Sequence, residues 1–131
     1  MSHILIVEDE PTTSWALAEG LADDGFTIDT FRSAEEAMVW LRENQCDLVI
    51  TDLRLPGMSG LDFARKLRRT RHAGPVLMVT AYGADLDARK LQRAGVVDVF
   101  SKPFLVDALR RAVRRALLTA DGSRAPLRRA A

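Results

Sequence analysis

Residues 47–60 read DLVITDLRLPGMSG, and this stretch decides the fold. The apolar run at 48–50 is typical of a strand buried on both faces, as the strands of parallel sheets are. It leads to a carboxylate, Asp52, and a proline and two glycines then mark a turn before a helical pattern begins. A strand, a sharp turn and a helix in this order indicate one unit of an alternating α/β fold.

The same unit recurs along the chain. Strand-like patterns occupy 4–7, 26–31, 47–52, 75–80 and 96–100, and helical patterns occupy 11–24, 33–44, 60–70, 85–94 and 106–118. Gly25 and Gly95 are typical helix-stop residues, and Ser33 with Glu36 forms a capping box. Because strands and helices alternate in this way, we predict a doubly wound α/β domain, with a five-stranded parallel sheet and five helices on its two faces.

Size and composition indicate one globular domain. The chain has 131 residues, of which 47% are hydrophobic and 28% charged, and it contains no apolar run of membrane-spanning length. The single cysteine, Cys46, cannot form an internal disulfide, which is typical of a reducing compartment. The first residues lack a basic leader followed by a long apolar run, so we expect a cytoplasmic location.

Charge is distributed unevenly between a body and a tail. The net charge is +1, and Arg124, Arg128 and Arg129 outnumber Asp121 at the carboxyl terminus. The body is therefore close to neutral, which gives no reason to expect nucleic-acid binding by this domain. We predict a domain over 1–118, followed over 119–131 by a flexible basic tail or the start of a linker.

Polar side chains that could carry chemistry follow the predicted strands. They are Glu8, Asp9, Asp52, Thr80 and Lys102. Because ligands of open parallel sheets bind beyond the carboxyl ends of the strands, we expect these side chains to share one edge. Three clustered acids repel one another, and a divalent cation with oxygen ligands, such as Mg²⁺, relieves that repulsion. A cation, a lysine and a hydroxyl are also what a phosphoryl group requires, so Asp52 could act as a nucleophile that forms an aspartyl phosphate.

These elements resemble those of a response-regulator receiver domain of two-component signalling, over about residues 3–118. The matching elements are Glu8-Asp9, Asp52 with the LRLPGMSG that follows it, Thr80-Ala81 and Lys102-Pro103-Phe104. The resemblance implies a chemotaxis-regulator-like, flavodoxin-like (βα)5 fold with strand order 2-1-3-4-5. The run 47–60 is also similar to receivers of nitrogen-regulation-type AAA+ activators.

The resemblance further implies a metal site. Asp52 would be the phosphoacceptor and also a ligand of Mg²⁺ or Mn²⁺. Asp9 would bind the ion directly, Glu8 would act through water, and the backbone carbonyl of Arg54 would supply another oxygen. The donor of the phosphoryl group would be a sensor histidine kinase or a histidine phosphotransfer protein.

A second set of residues would contact the phosphoryl group. By the same resemblance, Lys102 pairs with one of its oxygens, Thr80 reorients to donate its hydroxyl, and the amide of Ala81 also donates. Pro103 would form the family's cis peptide bond and so position Lys102. The domain would act as a phosphorylation-controlled switch for an output partner, and not as an enzyme acting on an outside substrate.

One position departs from the family pattern. The aromatic residue that usually lies three residues before the lysine is replaced by Val99, and Phe100 follows one place late. Since neighbours in a strand point to opposite faces, Phe100 should not substitute for that aromatic. We expect the usual coupling to Thr80 to be weakened, or rerouted through Tyr82. We also expect Arg54 and Tyr82 to shield the phosphoryl group and slow its hydrolysis.

Other interpretations remain open at this stage. Glu8 and Asp9 could simply cap the first helix, and Lys102 could be a solvated surface lysine. An aspartyl-nucleophile phosphatase of a doubly wound fold is the alternative function, although Arg54 stands where such enzymes carry a second acid. A homodimer could form through the face of helix four, strand five and helix five. No membrane association is expected.

Overall fold

The computed structural model describes residues 2–70, 73–81 and 86–118, together with the backbone of 128–130. Its strands are β1 (His3–Val7), β2 (Thr27–Phe31), β3 (Leu48–Thr51), β4 (Val76–Thr80), β5 (Val96–Ser101) and β6 (Arg128–Ala130). Its helices are α1 (Pro11–Ala22), α2 (Ala34–Leu41), α3 (Gly60–Leu67), α4 (Ala88–Arg93) and α5 (Val106–Leu118). None of the helices in these ranges has the length and hydropathy needed to cross a bilayer.

All strands lie in one parallel sheet with the order β2-β1-β3-β4-β5-β6. The predicted order 2-1-3-4-5 is therefore confirmed for the first five strands. The short β6 adds to the outer edge of β5, where 98–100 pair with 128–130. This strand falls within the predicted tail, and 119–127 lie outside the described residues, so the division at 118 stays a prediction.

Two apolar layers cover the two faces of the sheet. Successive residues of β1 alternate between them: Leu5 belongs to the layer formed with α2, α3 and α4, whereas Ile4 and Ile6 belong to the layer formed with α1 and α5. Every residue of β3 is buried, which explains why 48–50 is a continuous apolar run. Apolar side chains therefore cover β1, β3 and β4 on both faces, and the buried polar residues Glu8, Asp52 and Thr80 lie at the carboxyl ends of these strands.

Two helices are shorter than predicted, and side-chain hydrogen bonds to backbone groups lie at the ends concerned. One half of the predicted capping box is present, because the hydroxyl of Ser33 accepts a hydrogen bond from the amide of Glu36. Helix α2 ends at Leu41 and not near Asn44, whose side-chain amide instead donates to the carbonyl of Trp40. Helix α4 begins after Asp87, whose carboxylate accepts from the amide of Arg89.

An ion-pair cluster joins the end of α1 to α5. Arg110 donates to both carboxylate oxygens of Asp24, at 3.0 Å from Nε and 2.6 Å from Nη2, and Arg114 donates at 3.1 Å. The side chain of Asp24 is only 8% exposed. The hydrogen bond from Arg110 holds the pKa of Asp24 below its ordinary value.

Asp24→Asn should destabilise the protein in a pH-dependent manner. A carboxyl group whose pKa is lowered in the folded state contributes stability above its unfolded pKa of about 3.8, and this contribution is lost as pH falls through the folded pKa. Urea unfolding at neutral pH and near pH 3 should therefore give a larger difference from the native chain at neutral pH. Asp23→Asn, at an exposed neighbour, is the control. An equal difference at both pH values would contradict the expectation.

Candidate functional site

The predicted polar residues meet at the carboxyl edge of the sheet. Glu8 follows β1 and Asp52 follows β3, and these strands are neighbours in the sheet. Backbone bonds fix both positions, since the amide of Glu8 donates to Phe31 at 2.9 Å and that of Asp52 donates to Val7 at 3.1 Å. The order of strands reverses between β1 and β3, which is where open α/β sheets bind ligands.

Three carboxylates form a cluster at this edge. Glu8, Asp9 and Asp52 each place a carboxylate oxygen within 4.8 Å of the others. Glu8 and Asp52 are buried, whereas Asp9 is exposed. All three groups provide hard oxygen donors, and the exposed Asp9 connects the cluster to solvent, which fits a small divalent cation that retains water ligands. The chemistry of this donor set therefore fits Mg²⁺ or Mn²⁺.

Lys102 joins the two buried acids. Its Nζ lies 2.6 Å from Oε1 of Glu8 and 2.8 Å from Oδ2 of Asp52. The exposed fractions of these side chains are 2% for Glu8, 10% for Asp52 and 19% for Lys102, so the contacts are largely shielded from water. The amide of Lys102 donates to the carbonyl of Thr80 at 3.0 Å, and the peptide bond to Pro103 is cis, as the resemblance implied. Lys102 is therefore not a solvated surface lysine.

Burial and charge act in opposite directions at this ion pair. Burial raises the pKa of Glu8 to about 6; the hydrogen bond from Lys102 opposes this rise, and the charge of Asp52 adds to it. Burial would lower the pKa of Lys102, but hydrogen bonds to Asp52 and Glu8 outweigh it and raise that pKa overall. The proton is therefore held on the lysine, whose single positive charge faces two buried carboxyl groups.

The turn after β3 is tightly closed. The amide of Gly60 donates to the carbonyl of Leu53 at 2.8 Å, and the hydroxyl of Ser59 caps α3 by accepting from Asp62. A Cβ at position 60 would lie 1.9 Å from the backbone oxygen of Asp52. Gly60 is therefore required by a close backbone approach directly behind Asp52.

Gly60→Ala should destabilise the protein by about 2 kcal/mol, because the obstacle is backbone and the turn must open to admit a methyl group. Urea unfolding measures the change. Gly20→Ala is the control, since a Cβ there meets a methyl of Val106, a side chain that can move. Equal losses in the two variants would mean that the turn accommodates the methyl group.

The residues assigned to the phosphoryl group are only partly described. Thr80 is fully buried at the end of β4, and the register pairs Thr51 with Met78, so that Thr80 lies at the same edge as Asp52. Ala81 follows in an exposed turn. The amide of Arg54 donates to Oδ1 of Asp52 at 3.3 Å. Tyr82 lies outside the described residues, so its predicted role stays a prediction.

Val99 and Phe100 lie on opposite faces of the sheet, as strand alternation predicted. Val99 packs in the layer that contains Leu91 of α4, whereas Phe100 packs in the layer formed with α1 and α5. Both are buried, with 3% and 1% exposure. Phe100 therefore does not occupy the place of the missing aromatic residue.

One residue beside the site is predicted by no pattern in the sequence. Glu35, in the first turn of α2, accepts a hydrogen bond from the amide of Met58 in the turn after β3. The two residues are 23 positions apart, and Glu35 belongs to no motif. The only sequence pattern in that segment is the Ser33–Glu36 capping pattern, which involves its neighbour Glu36 and predicts nothing about Glu35.

Fold and site together define a class: a flavodoxin-like, doubly wound α/β domain with an acidic cluster and a lysine at the switch point of its sheet. The family profile described as "Response regulator receiver domain" matches residues 4–114. The chain belongs to the response regulator receiver domain family.

Similar proteins include curated regulators and solved receiver domains. Transcriptional regulatory protein TcrA of Mycobacterium tuberculosis is 39% identical over 82% of this chain and 42% of its own length. Two-component response regulator PhoP of Pseudomonas aeruginosa is 37% identical over 91% of this chain and 53% of its own length. The chain thus spans about half the length of these relatives. The solved BeF3-activated DrrB receiver domain has a TM-score of 0.80 and 28% identity, covering 90% of this chain and 98% of that one.

Proposed function

We propose that this domain is a phosphoacceptor switch, in which Asp52 takes a phosphoryl group from a histidine of a sensor kinase or phosphotransfer protein. The observation that carries the proposal is the contact of the Lys102 ammonium with Glu8 and Asp52 at 2.6 and 2.8 Å. Asp9 completes a carboxylate set beside it. Such a cluster provides a nucleophilic oxygen, a fixed positive charge and a site for a divalent cation together.

In the proposed reaction a carboxylate oxygen of Asp52 forms a bond to phosphorus. The phosphorus–nitrogen bond of the donor histidine breaks, and its electron pair remains on the imidazole. Mg²⁺ or Mn²⁺, held by Glu8, Asp9, Asp52 and the carbonyl of Arg54, would neutralise charge on the phosphoryl oxygens. Because Lys102 is already fixed beside the two buried acids, its positive charge would stabilise the phosphoryl oxygens without a large rearrangement of solvent.

The remaining groups would hold the transferred phosphoryl group. Lys102 keeps its proton and exchanges a carboxylate oxygen of Asp52 for a phosphoryl oxygen. The hydroxyl of Thr80 and the amide of Ala81 donate to the other oxygens. This change biases a two-state element around Thr80 and α4, which an output partner or domain reads.

Val99 makes the transmission step unusual within this proposal. A buried valine has no ring to move between an outer and an inner position, so coupling to Thr80 is weakened or passes through Tyr82. A pair of structures, with and without a phosphate mimic such as beryllofluoride, decides between these routes. A stationary Tyr82 excludes the second one.

The proposed function is tested by incubating the chain with acetyl phosphate and Mg²⁺ and measuring its intact mass. One added phosphoryl group is expected, and its formation should stop when EDTA removes the divalent cation. Absence of an adduct at saturating donor, with the protein folded by circular dichroism, would defeat the proposal. Steady hydrolysis of a phosphomonoester would favour the phosphatase alternative instead.

The partners and the output of this domain are also part of the proposal. The curated relatives are about twice as long as the chain, and we propose that the switch is read either by an additional output region or by a separate partner. Dimerisation through α4, β5 and α5 stays a prediction, which size-exclusion chromatography with beryllofluoride tests. The same holds for the cytoplasmic location and for the absence of nucleic-acid contacts by the domain itself.

A further inference from the structure

We propose that Glu35 of α2 is a positioning residue for the metal-binding turn: by holding the amide of Met58 it presets residues 53–59, which include Arg54. The inference rests on the proposed function, since it concerns the affinity of the same site for its divalent cation. Glu35 itself touches neither the carboxylate cluster nor the phosphoryl group in this proposal, and it acts through the backbone of the turn.

The side chain of Glu35 makes a short hydrogen bond to the backbone of the turn. Oε2 of Glu35 accepts from the amide of Met58 at 2.8 Å. A Cβ built at Gly57 would lie 2.5 Å from the same oxygen, and Gly57 adopts a φ of +76°. The carboxylate therefore lies against a stretch of turn without a side chain, which adopts a conformation that favours glycine. Gly57 and Glu35 fit one another, and substituting either residue would disturb the close contact between the Glu35 carboxylate and the turn.

Glu35 lies on helix α2, which is capped at its N-terminus and packed against the apolar layer. Ser33 caps α2, and Ala34, Ala37 and Leu41 of that helix are buried in the apolar layer. A carboxylate in the first turn is also stabilised by the positive end of the helix dipole. The hydrogen bond from Met58 holds the pKa of Glu35 below its ordinary value, so the acceptor is ionised at neutral pH.

The bond completes a set of restraints around the turn. One end is closed by the hydrogen bond from Gly60 to Leu53, and the amide of Arg54 is held by Asp52. Glu35 restrains the middle of the turn from a neighbouring helix. Because a preset loop loses less conformational entropy when its carbonyl binds a cation, the bond should increase cation affinity.

Glu35→Ala, Glu35→Gln and Glu36→Gln in the full chain separate positioning from charge. Mn²⁺ serves as the probe, with its dissociation constant measured by electron paramagnetic resonance, and amide hydrogen exchange is followed at Met58. In Glu35→Ala, exchange at Met58 should accelerate about tenfold and the Mn²⁺ dissociation constant should rise about tenfold. Glu35→Gln retains an accepting oxygen and should restore most of the affinity. Glu36→Gln removes the same charge from the next exposed residue and should bind Mn²⁺ as the native chain does.

The outcomes are distinguishable from failure of the proposed function. If no variant is phosphorylated, the exchange and Mn²⁺ measurements still report on Glu35. Faster exchange at Met58 with an unchanged Mn²⁺ dissociation constant would overturn the inference, because Glu35 would then be only structural. Equal weakening in Glu36→Gln would also overturn it, because it would assign the effect to long-range charge. With acetyl phosphate, the rate for Glu35→Ala should recover at saturating Mg²⁺.

Discussion

Asp52→Asn is expected to acquire no phosphoryl group from acetyl phosphate under conditions that phosphorylate the native chain. The asparagine retains the shape of the side chain but lacks the anionic oxygen that would attack phosphorus. Intact-mass measurement over time gives the result directly. The loss should be complete and not partial, because the substitution removes the nucleophile itself.

Folding of this variant provides the necessary control. Removing one of two buried acids that face Lys102 also removes their mutual repulsion, so Asp52→Asn should unfold at a urea concentration close to that of the native chain. Asp62→Asn, at an exposed aspartate paired with Arg65, should be phosphorylated at the native rate. An adduct that persists in Asp52→Asn would assign the phosphoacceptor to another side chain and defeat the proposed role.

The fold could be predicted largely because its strands and helix stops leave local signals. The run at 48–50 is continuous because β3 is covered on both faces, and Gly25 and Gly95 end helices with φ values of +80° and +85°. β6 leaves no such signal. Its pairing with β5 uses backbone groups along an open edge, which any non-proline residues can supply, so the RRA at 128–130 reads only as part of a tail.

The site was predictable where topology alone brings residues together. Strand ends of a parallel sheet converge, and this rule placed Glu8, Asp52 and Lys102 at one edge although 94 positions separate the first from the last. The direct bridging of both acids by the lysine depends on side-chain distances that spacing does not contain. Glu35 was missed for the same reason, since its hydrogen bond crosses from a helix to an unrelated turn.

Lys102→Met should destabilise the protein by about 3 kcal/mol at neutral pH with EDTA present, because two buried acids would be left without their cation. Methionine retains most of the stem, so the loss reports on charge more than on packing. The double variant Asp52→Asn with Lys102→Met should be more stable than Lys102→Met alone, because one acid of the pair is then neutral. Urea unfolding of the four chains gives the coupling between the two positions. Lys90→Met, at an exposed lysine of α4, should change stability by no more than about 0.5 kcal/mol.

The pH dependence of this loss identifies its cause. With Lys102 present, burial already raises the pKa of Glu8 from 4.5 to about 6, and removing the ammonium raises it further. A carboxyl group with a raised folded-state pKa takes up its proton more readily in the folded than in the unfolded state. As pH falls below about 6, Glu8 takes up its proton in both folded chains, and the gap between their free energies of unfolding stays constant. The gap should instead narrow as pH falls from mildly alkaline values toward about 6, because Glu8 of folded Lys102→Met already takes up its proton there. A gap that is constant across this range would show that lost packing of the lysine stem, and not uncompensated charge on Glu8 and Asp52, accounts for the instability.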